Sequence, residues 1–470
     1  MIAFTASDRR NAVVAGLALG ALALALFSPG LLNDPDTWWH VKVGGWILDH
    51  HQAPRVDLWS YSRAGAAWTA HEWLSEALMA AAYRLAGWAG VTALCGAAFS
   101  LATWLMGRRL ARDLEGTLLL VVLVLGLSLM GGSLLARPHL LALPVLVAWV
   151  GGLMAARDRG TAPSPWLCAL MVLWANLHGG WAFGLAIAGP FGLEALIAAR
   201  PGARLKVARD WGLFGTLALA CAALTPFGLE GVMFPIQQLS MKSLAGIGEW
   251  RPADFSRLEP MEIALLALIG LALTRPIKLP PVRLALLVGM IHLALSHGRH
   301  QMLLGVVGPM LLAAPLANAL AAPREASAPG RWVGALAAGL AVALLMLRLA
   351  LPITRGDSAN APMSALDSVP AAVRASPVLN DYGFGGYLIW RDVRPYVDSR
   401  AELYRDAFLD HYGSLAAGDA GALEATLAAR RVGWTIFPPG APAVALMDRE
   451  PGWTRIHADR FAVVHARTQP

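Results

Sequence analysis

Asp34-Pro35-Asp36, followed by Thr37-Trp38-Trp39-His40, stands where the first long apolar segment of the chain ends. Two carboxylates and an imidazole at the edge of a membrane are poor packing groups, because charge is costly in hydrocarbon. They are good groups for proton transfer or ion binding. Asp36 and His40 are four residues apart and share one face of a helix. Asp34 precedes that helix and has the residue type favoured as its cap. A cap accounts for one Asp and leaves the second.

More groups of this kind follow: His50, His51, His71 and Glu72, then Arg137-Pro138-His139, Asn176-Leu177-His178-Gly179-Gly180, Glu249-Trp250 and His297-Gly298-Arg299-His300. Any one of these histidines taken singly reads as an interface side chain bonded to backbone. That reading weakens when separate helix ends all deliver polar groups to one surface. Trp38, Trp39, Trp68, Trp73, Trp174, Trp181 and Trp250 are expected to belong mostly to the interfacial aromatic belt.

The elements that must position these groups follow from composition. Of 470 residues, 57% are hydrophobic and only 15% charged, with mean hydropathy +0.53; soluble chains carry roughly 25% charged residues. This is the composition of a polytopic membrane protein. The net charge of +7 then records orientation in the bilayer, and a nucleic-acid partner is not expected. Cys95, Cys168 and Cys221 lie in apolar segments without CxxC spacing and read as small core residues. Apolar runs near residues 11–31, 86–107, 115–134, 138–155, 163–177, 181–198, 211–226, 260–274, 282–297, 301–320 and 332–351 predict about eleven transmembrane helices. The first lacks a small-residue cleavage site and is expected to be retained as a helix. Arg9, Arg10, Arg108, Arg109, Arg112, Arg157, Arg159, Arg200, Arg204, Lys206, Arg209, Arg275, Lys278, Arg283, Arg324 and Arg331 fall on alternate connections. Those connections, and the N-terminus, are expected in the cytoplasm. The polar clusters then face outward.

The first outer connection, residues 32–85, carries helical spacing over 36–48 and 72–85, as expected of helices lying along the membrane surface. After Pro352 the chain changes character. Residues 352–376 read as a linker, and 377–470 as a small α/β domain of about 100 residues, enough for a modest core. Strands are expected at 377–379, 395–397, 434–437 and 461–464, and helices near 402–416 and 420–431. Asn380-Asp381-Tyr382-Gly383-Phe384-Gly385-Gly386 is either a functional loop or a tight strand-to-helix turn. Asp398-Ser399-Arg400-Ala401-Glu402 is either a second polar loop or a helix cap.

An acidic pair just after the first span, combined with a long first external loop holding two surface helices, resembles the GT-C superfamily of integral membrane glycosyltransferases. Asp36-Thr37-Trp38-Trp39-His40, Trp68-Thr69-Ala70-His71-Glu72-Trp73, Arg137-Pro138, Asn176-Leu177-His178-Gly179 and Arg299-His300 fit that pattern. The 380–387 segment is similar to a motif of oligosaccharyltransferase catalytic subunits but lacks its two tryptophans. The resemblance implies a GT-C-like bundle over 1–351 with an extracytoplasmic C-terminal domain, in a cell inner membrane. It implies transfer of a sugar from a polyprenyl-phosphate-linked donor to an extracytoplasmic acceptor.

In that chemistry Asp36 is the expected base, with Asp34 as alternate base or as co-ligand of Mg²⁺ or Mn²⁺ with Asp36. Arg137, His297, Arg299 and His300 are expected on the donor phosphate. His40, His71, Glu72, His139, His178 and Glu249 are expected to hold sugar hydroxyls, orient the Asp pair or add metal ligands. Asp381, Tyr382, Arg400 and Glu402 are expected on the acceptor side. The alternatives are a glycan polymerase or ligase of the same fold and a His-rich metal enzyme, for example with zinc on His40, His71 and His178. A transporter ranks lower, since its ionisable groups belong near mid-bilayer.

Overall fold

The computed structural model describes residues 6–243, 248–321 and 331–468. Arg324, one of the expected cytoplasmic markers, lies outside the described residues. In chain order the helices are α1 (Ala6–Phe27), α2 (Asp36–His50), α3 (Trp73–Leu110), α4 (Gly116–Met130), α5 (Pro138–Asp158), α6 (Cys168–Leu177), α7 (Trp181–Ala198), α8 (Arg204–Ala222), α9 (Leu229–Leu239), α10 (Pro260–Thr274), α11 (Pro281–Ser296), α12 (Gln301–Ala319) and α13 (Arg331–Ala350). The C-terminal part adds α14 (Met363–Ser368), α15 (Ala371–Arg374), α16 (Gly385–Trp390), α17 (Ala401–Ala416), α18 (Ala420–Ala429) and α19 (Pro442–Met447). Its strands are β1 (Val378–Asn380), β2 (Trp434–Phe437), β3 (Trp453–Ala458) and β4 (Val463–Arg467). The chain forms two compact units. A helical unit comprises Met1–Leu31, Ala89–Pro235 and Ala245–Leu351, and a mixed unit comprises Leu32–Trp88, Ile236–Leu244 and Pro352–Pro470.

In the helical unit a helix stands on each apolar run read from the sequence, and the mainly α class with a small C-terminal sheet is the one expected. Among the described residues, seven helical segments are long and apolar enough to cross a membrane: α1, α3, α4 continued by the turn Gly131–Ser133, α5, α7, α12 extended by the turn Gly298–His300, and α13. The others fall short for local reasons. α6, α10 and α11 have 10, 15 and 16 residues, below the roughly 20 that a hydrocarbon core requires, and α8 spends its first turns on Arg204, Lys206, Arg209 and Asp210. Where α4 meets α12 the backbones touch. A Cβ at Gly126 would lie 2.7 Å from the Gly305 carbonyl oxygen, and one at Gly305 2.6 Å from that of Gly126, the small-residue contact that lets apolar helices pack closely. Several basic residues of the expected cytoplasmic side are ion-paired. Arg109 reaches Asp113 and Asp158 at 3.1 and 3.2 Å, and Glu194 accepts from Arg157 at 3.3 Å and Arg283 at 2.8 Å. Cys95 and Cys168 are buried and Cys221 half-buried, all as free thiols.

In the mixed unit, α2 starts where Pro35 fixes φ at −64° and the Asp34 carboxylate accepts the Asp36 N–H at 2.8 Å. It ends at His51, whose φ is 51°. α3 breaks at Ala86 and Gly87, with Gly87 at φ 57°, a backbone region that glycine enters without a Cβ penalty. The residues before that break are the second helix expected on the first external connection.

The sheet runs β1-β2-β4-β3, with β1 parallel to β2 and the other pairs antiparallel. The strand expected at 395–397 is absent. The Asn380 side chain stands in for a strand partner there, donating to Val397 O and accepting the Tyr396 N–H, both at 2.8 Å. β3 was not foreseen from the sequence; most of its residues are exposed and give no core pattern.

The domain division expected from the sequence, with 32–85 attached to the helices and 352–376 as a linker, is drawn differently here. The 352–376 stretch buries Ala361, Ala365, Leu366 and Val369 and carries α14 and α15. The first connection docks on the C-terminal part through named bonds: Tyr61 OH to Val378 O at 2.9 Å, Ser62 Oγ to Tyr396 O at 2.5 Å and Arg63 to Tyr404 O at 2.7 Å. The shared core is aromatic. Trp38 packs on Trp88 at 4.8 Å, Tyr387 at 5.2 Å and Trp390 at 5.8 Å between centroids. Trp38, Trp39, Trp68, Trp174 and Trp181 are all buried, which corrects the reading of these rings as an interfacial belt.

Candidate active site

The chemistry-bearing residues form two groups, one in each unit. In the mixed unit Asp34, Asp36 and His40 are 4%, 3% and 2% exposed. Asp36 is the first residue of α2, where the positive end of the helix dipole favours a carboxylate. Asp34 plays the cap-like part through its bond to the Asp36 N–H. Arg355 belongs to this neighbourhood and was missed because it lay in the supposed linker. Its guanidinium sits 3.7 Å over the Trp38 ring and donates to Leu32 O at 2.6 Å. Burial lowers its pKa to about 10 against the opposing pull of Asp34.

The His40 ring lies 3.8 Å from that of Trp39. Its Nδ1 faces Glu76 Oε1 at 3.4 Å and its Nε2 faces Glu72 Oε2 at 3.9 Å. His71 lies 3.7 Å from Glu72. Glu76 was missed, although its spacing four residues after Glu72 puts both on one helix face. Among the described residues, His40, Glu72 and Glu76 form the group of side chains suited to a metal ion, with ligand atoms within 4.8 Å of one another. Asp34 and Asp36 are not in it.

The two C-terminal motifs pack onto these residues. Asp381 caps the turn Tyr382–Phe384 by accepting the Gly383 N–H at 2.8 Å, and burial raises its pKa against that bond. Gly385 and Gly386 serve close approach rather than a special φ. A Cβ at Gly386 would lie 2.1 Å from the Pro35 carbonyl oxygen, and one at Gly385 2.4 Å from Val397 O. Thus α16 rests directly on Asp34-Pro35-Asp36. Tyr382 donates to Ser399 O at 3.2 Å, and Trp39 Nε1 to Ser399 Oγ at 3.0 Å.

Arg400 is fully enclosed. It binds Asp398 through two nitrogens at 2.8 and 2.7 Å and Asp57 at 2.8 Å, and it lies 4.7 Å from the Trp68 ring centroid. Tyr404 also donates to Asp398, at 2.7 Å. Glu402 accepts from Trp68 Nε1 at 3.1 Å; its pKa is raised by burial, against the Trp68 bond and Arg400.

In the helical unit Glu249 is the hub. It accepts from Arg137 at 2.8 Å and from Arg299 at 3.1 Å. Burial pushes its pKa up, but the Arg137 and Arg299 guanidiniums outweigh that and hold it at about 2. Arg137 is placed by its position just before Pro138 at the start of α5. Arg299 sits in the turn Gly298–His300 between α11 and α12. The Gly298 N–H donates to Arg251 O at 2.9 Å and the Ala253 N–H to Leu295 O at 2.8 Å, which ties the Glu249 segment to that turn.

Trp250 carries the Arg299 guanidinium at 4.4 Å and lies 5.6 Å from His297, which is 5.3 Å from His300. His139 donates to Ser133 O at 2.6 Å and lies 6.3 Å from His178, whose Nδ1 accepts the Gly180 N–H at 2.9 Å. Two guanidiniums and one carboxylate, ringed by imidazoles, make an anion-binding arrangement whose central place a carboxylate already takes.

No family model and no curated protein matches the chain. Among solved structures it is similar to ArnT from Cupriavidus metallidurans, crystallised with undecaprenyl phosphate. The two share 12% identity over 96% of this chain and 97% of that one, with a TM-score of 0.45.

Proposed function

We propose that the protein is a membrane glycosyltransferase that moves a sugar from a polyprenyl-phosphate donor to an extracytoplasmic acceptor. The observation that carries this reading is the Asp36 carboxylate, buried at the first turn of α2 beside a second buried carboxylate. It is a base held out of water on a rigid element, in a chain whose described residues include seven helical segments of membrane-crossing length. Asp36 takes the proton of the acceptor hydroxyl, whose oxygen bonds to the anomeric carbon. The carbon–oxygen bond to phosphate breaks, and its electron pair leaves on a phosphate oxygen.

Arg137 and Arg299, with His297 and His300 beside them, receive that charge. His40, His71, Glu72, His139 and His178 orient these groups or the sugar, and Asp381 and Tyr382 serve the acceptor side. Arg400 and Glu402 act as positioning residues for the same side, since both are engaged inside the mixed unit. Alternating basic connections support a cytoplasmic N-terminus and an outward site.

One displacement inverts the anomeric centre. The test is transfer from a polyprenyl-phosphate sugar in proteoliposomes: Asp36→Asn should cost about 10²-fold or more in rate. A product that retains the donor's anomeric configuration, or an Asp36→Asn enzyme of nearly full rate, would overturn the assignment.

A further inference from the structure

We propose that His40, Glu72 and Glu76 bind a zinc-type divalent ion, at a site separate from the Asp34 and Asp36 carboxylates. The group is built as a cradle. His40 and Glu76 are 2% and 1% exposed, while Glu72, at 14%, keeps a route to solvent. Among the described residues Glu76 Oε2, which is buried, has no hydrogen-bond partner, a costly state for a carboxylate oxygen unless a cation answers it.

The contacts inside the group are also long for charged partners so deeply buried. At 3.4 and 3.9 Å they exceed the roughly 2.7–2.9 Å of a charge-assisted hydrogen bond. The shorter one matches the spacing of about 3.4 Å between two ligands of a tetrahedral ion bonded at about 2.1 Å.

Local packing holds the ligands in place. The Trp39 ring packs at a tilt against the His40 ring, 3.8 Å between centroids. Gly44 brings α2 against the start of α3 so closely that a Cβ would lie 1.9 Å from the Glu76 carbonyl oxygen. The Glu76 N–H donates to Glu72 O at 3.1 Å, so both carboxylates ride on one helical turn. One imidazole with two carboxylates is a donor set for zinc and its neighbours, whereas magnesium and calcium prefer all-oxygen shells. Three protein ligands also leave one position of a tetrahedral ion open. The site stands whether or not the chain transfers a sugar.

The experiment measures metal by mass spectrometry on the full chain, purified in detergent without chelator and dialysed against micromolar zinc. The wild type should carry about one zinc per chain. The near-isosteric Glu76→Gln and His40→Ala should lower zinc affinity by about tenfold or more, while Asp36→Asn should retain it. Zinc should also raise the melting temperature of the wild type, reversibly with chelator, and raise that of Glu76→Gln much less. A wild type that takes up no zinc and shows no thermal shift overturns the site. So does zinc content unchanged in both Glu76→Gln and His40→Ala, or lost in Asp36→Asn alone.

Discussion

Arg400 shows how much of this protein turns on a single side chain. With Asp57 and Asp398 it forms an ion cluster whose three side chains are entirely buried, joining the first external connection to the C-terminal segment. Buried ion pairs cost desolvation to form and are far more costly to break, because the surviving charges stay enclosed. Arg400→Gln leaves two carboxylates facing each other and should destabilise the protein by about 3–5 kcal/mol, read as a large fall in melting temperature of the detergent-purified chain. The sequence offered Asp398-Ser399-Arg400 as a polar loop or a helix cap. It gave no means of pairing Arg400 with Asp57, 343 positions earlier. Asp34 and Asp36, by contrast, were legible, because an acidic pair directly after an apolar run has few structural uses.

Helix ends and turns bring Arg137, Arg299 and Glu249 together, and the carboxylate takes the place proposed for a phosphate. Glu249, Arg137 and Arg299 come from three segments that end or begin at the mouths of helices. If Glu249 occupies the place of a phosphate, Glu249→Gln should tighten polyprenyl-phosphate binding by about tenfold, the size of one charged hydrogen bond given up. Weaker binding in that variant would mean that Glu249 instead holds the arginines in position for the lipid.

The same group sets a pH window. Its pKa is depressed from 4.5 to about 2 in the folded chain, so its stabilising contribution is fully present above pH 4.5. That contribution fades as the pH falls toward 2. Melting temperatures of wild type and Glu249→Gln should therefore differ most above pH 4.5 and converge on acidification. Each of these polar ends was legible from its interruption of an apolar run. The pairing of Glu249 with Arg137 and Arg299 was not, because nothing in local spacing joins residue 137 to 249 and 299.

At the scale of the molecule, the chain is sorted into units that ignore sequence order. Residues 32–88 and 352–470 fold together, with Trp38 enclosed by Trp88, Tyr387 and Trp390 and by the Arg355 guanidinium. A chain ending at Leu351 should therefore lose the C-terminal partners of Trp38, Trp39 and Trp68, namely Tyr387 and Trp390, Ser399, and Glu402. It should show red-shifted tryptophan emission and rapid proteolysis within residues 32–85, while the full chain resists cleavage there. Intact protection of that stretch in the shortened chain would show that the first connection folds on the helices alone.

The order of apolar runs, the Pro and Gly that bound them and the polar residues at their ends determined the helices, the break at Gly87 and the places where chemistry is available. These are local properties, set by hydrophobic periodicity and backbone sterics. Tertiary structure alone decided that Glu76 completes a triad with His40 and Glu72, that Glu249 bridges two arginines, and that α16 rests on Asp34-Pro35-Asp36 through Gly386. Each depends on contacts between residues distant in the chain or on opposing faces. Those are fixed by packing and by the cost of burying unpaired charge, which no single stretch of sequence records.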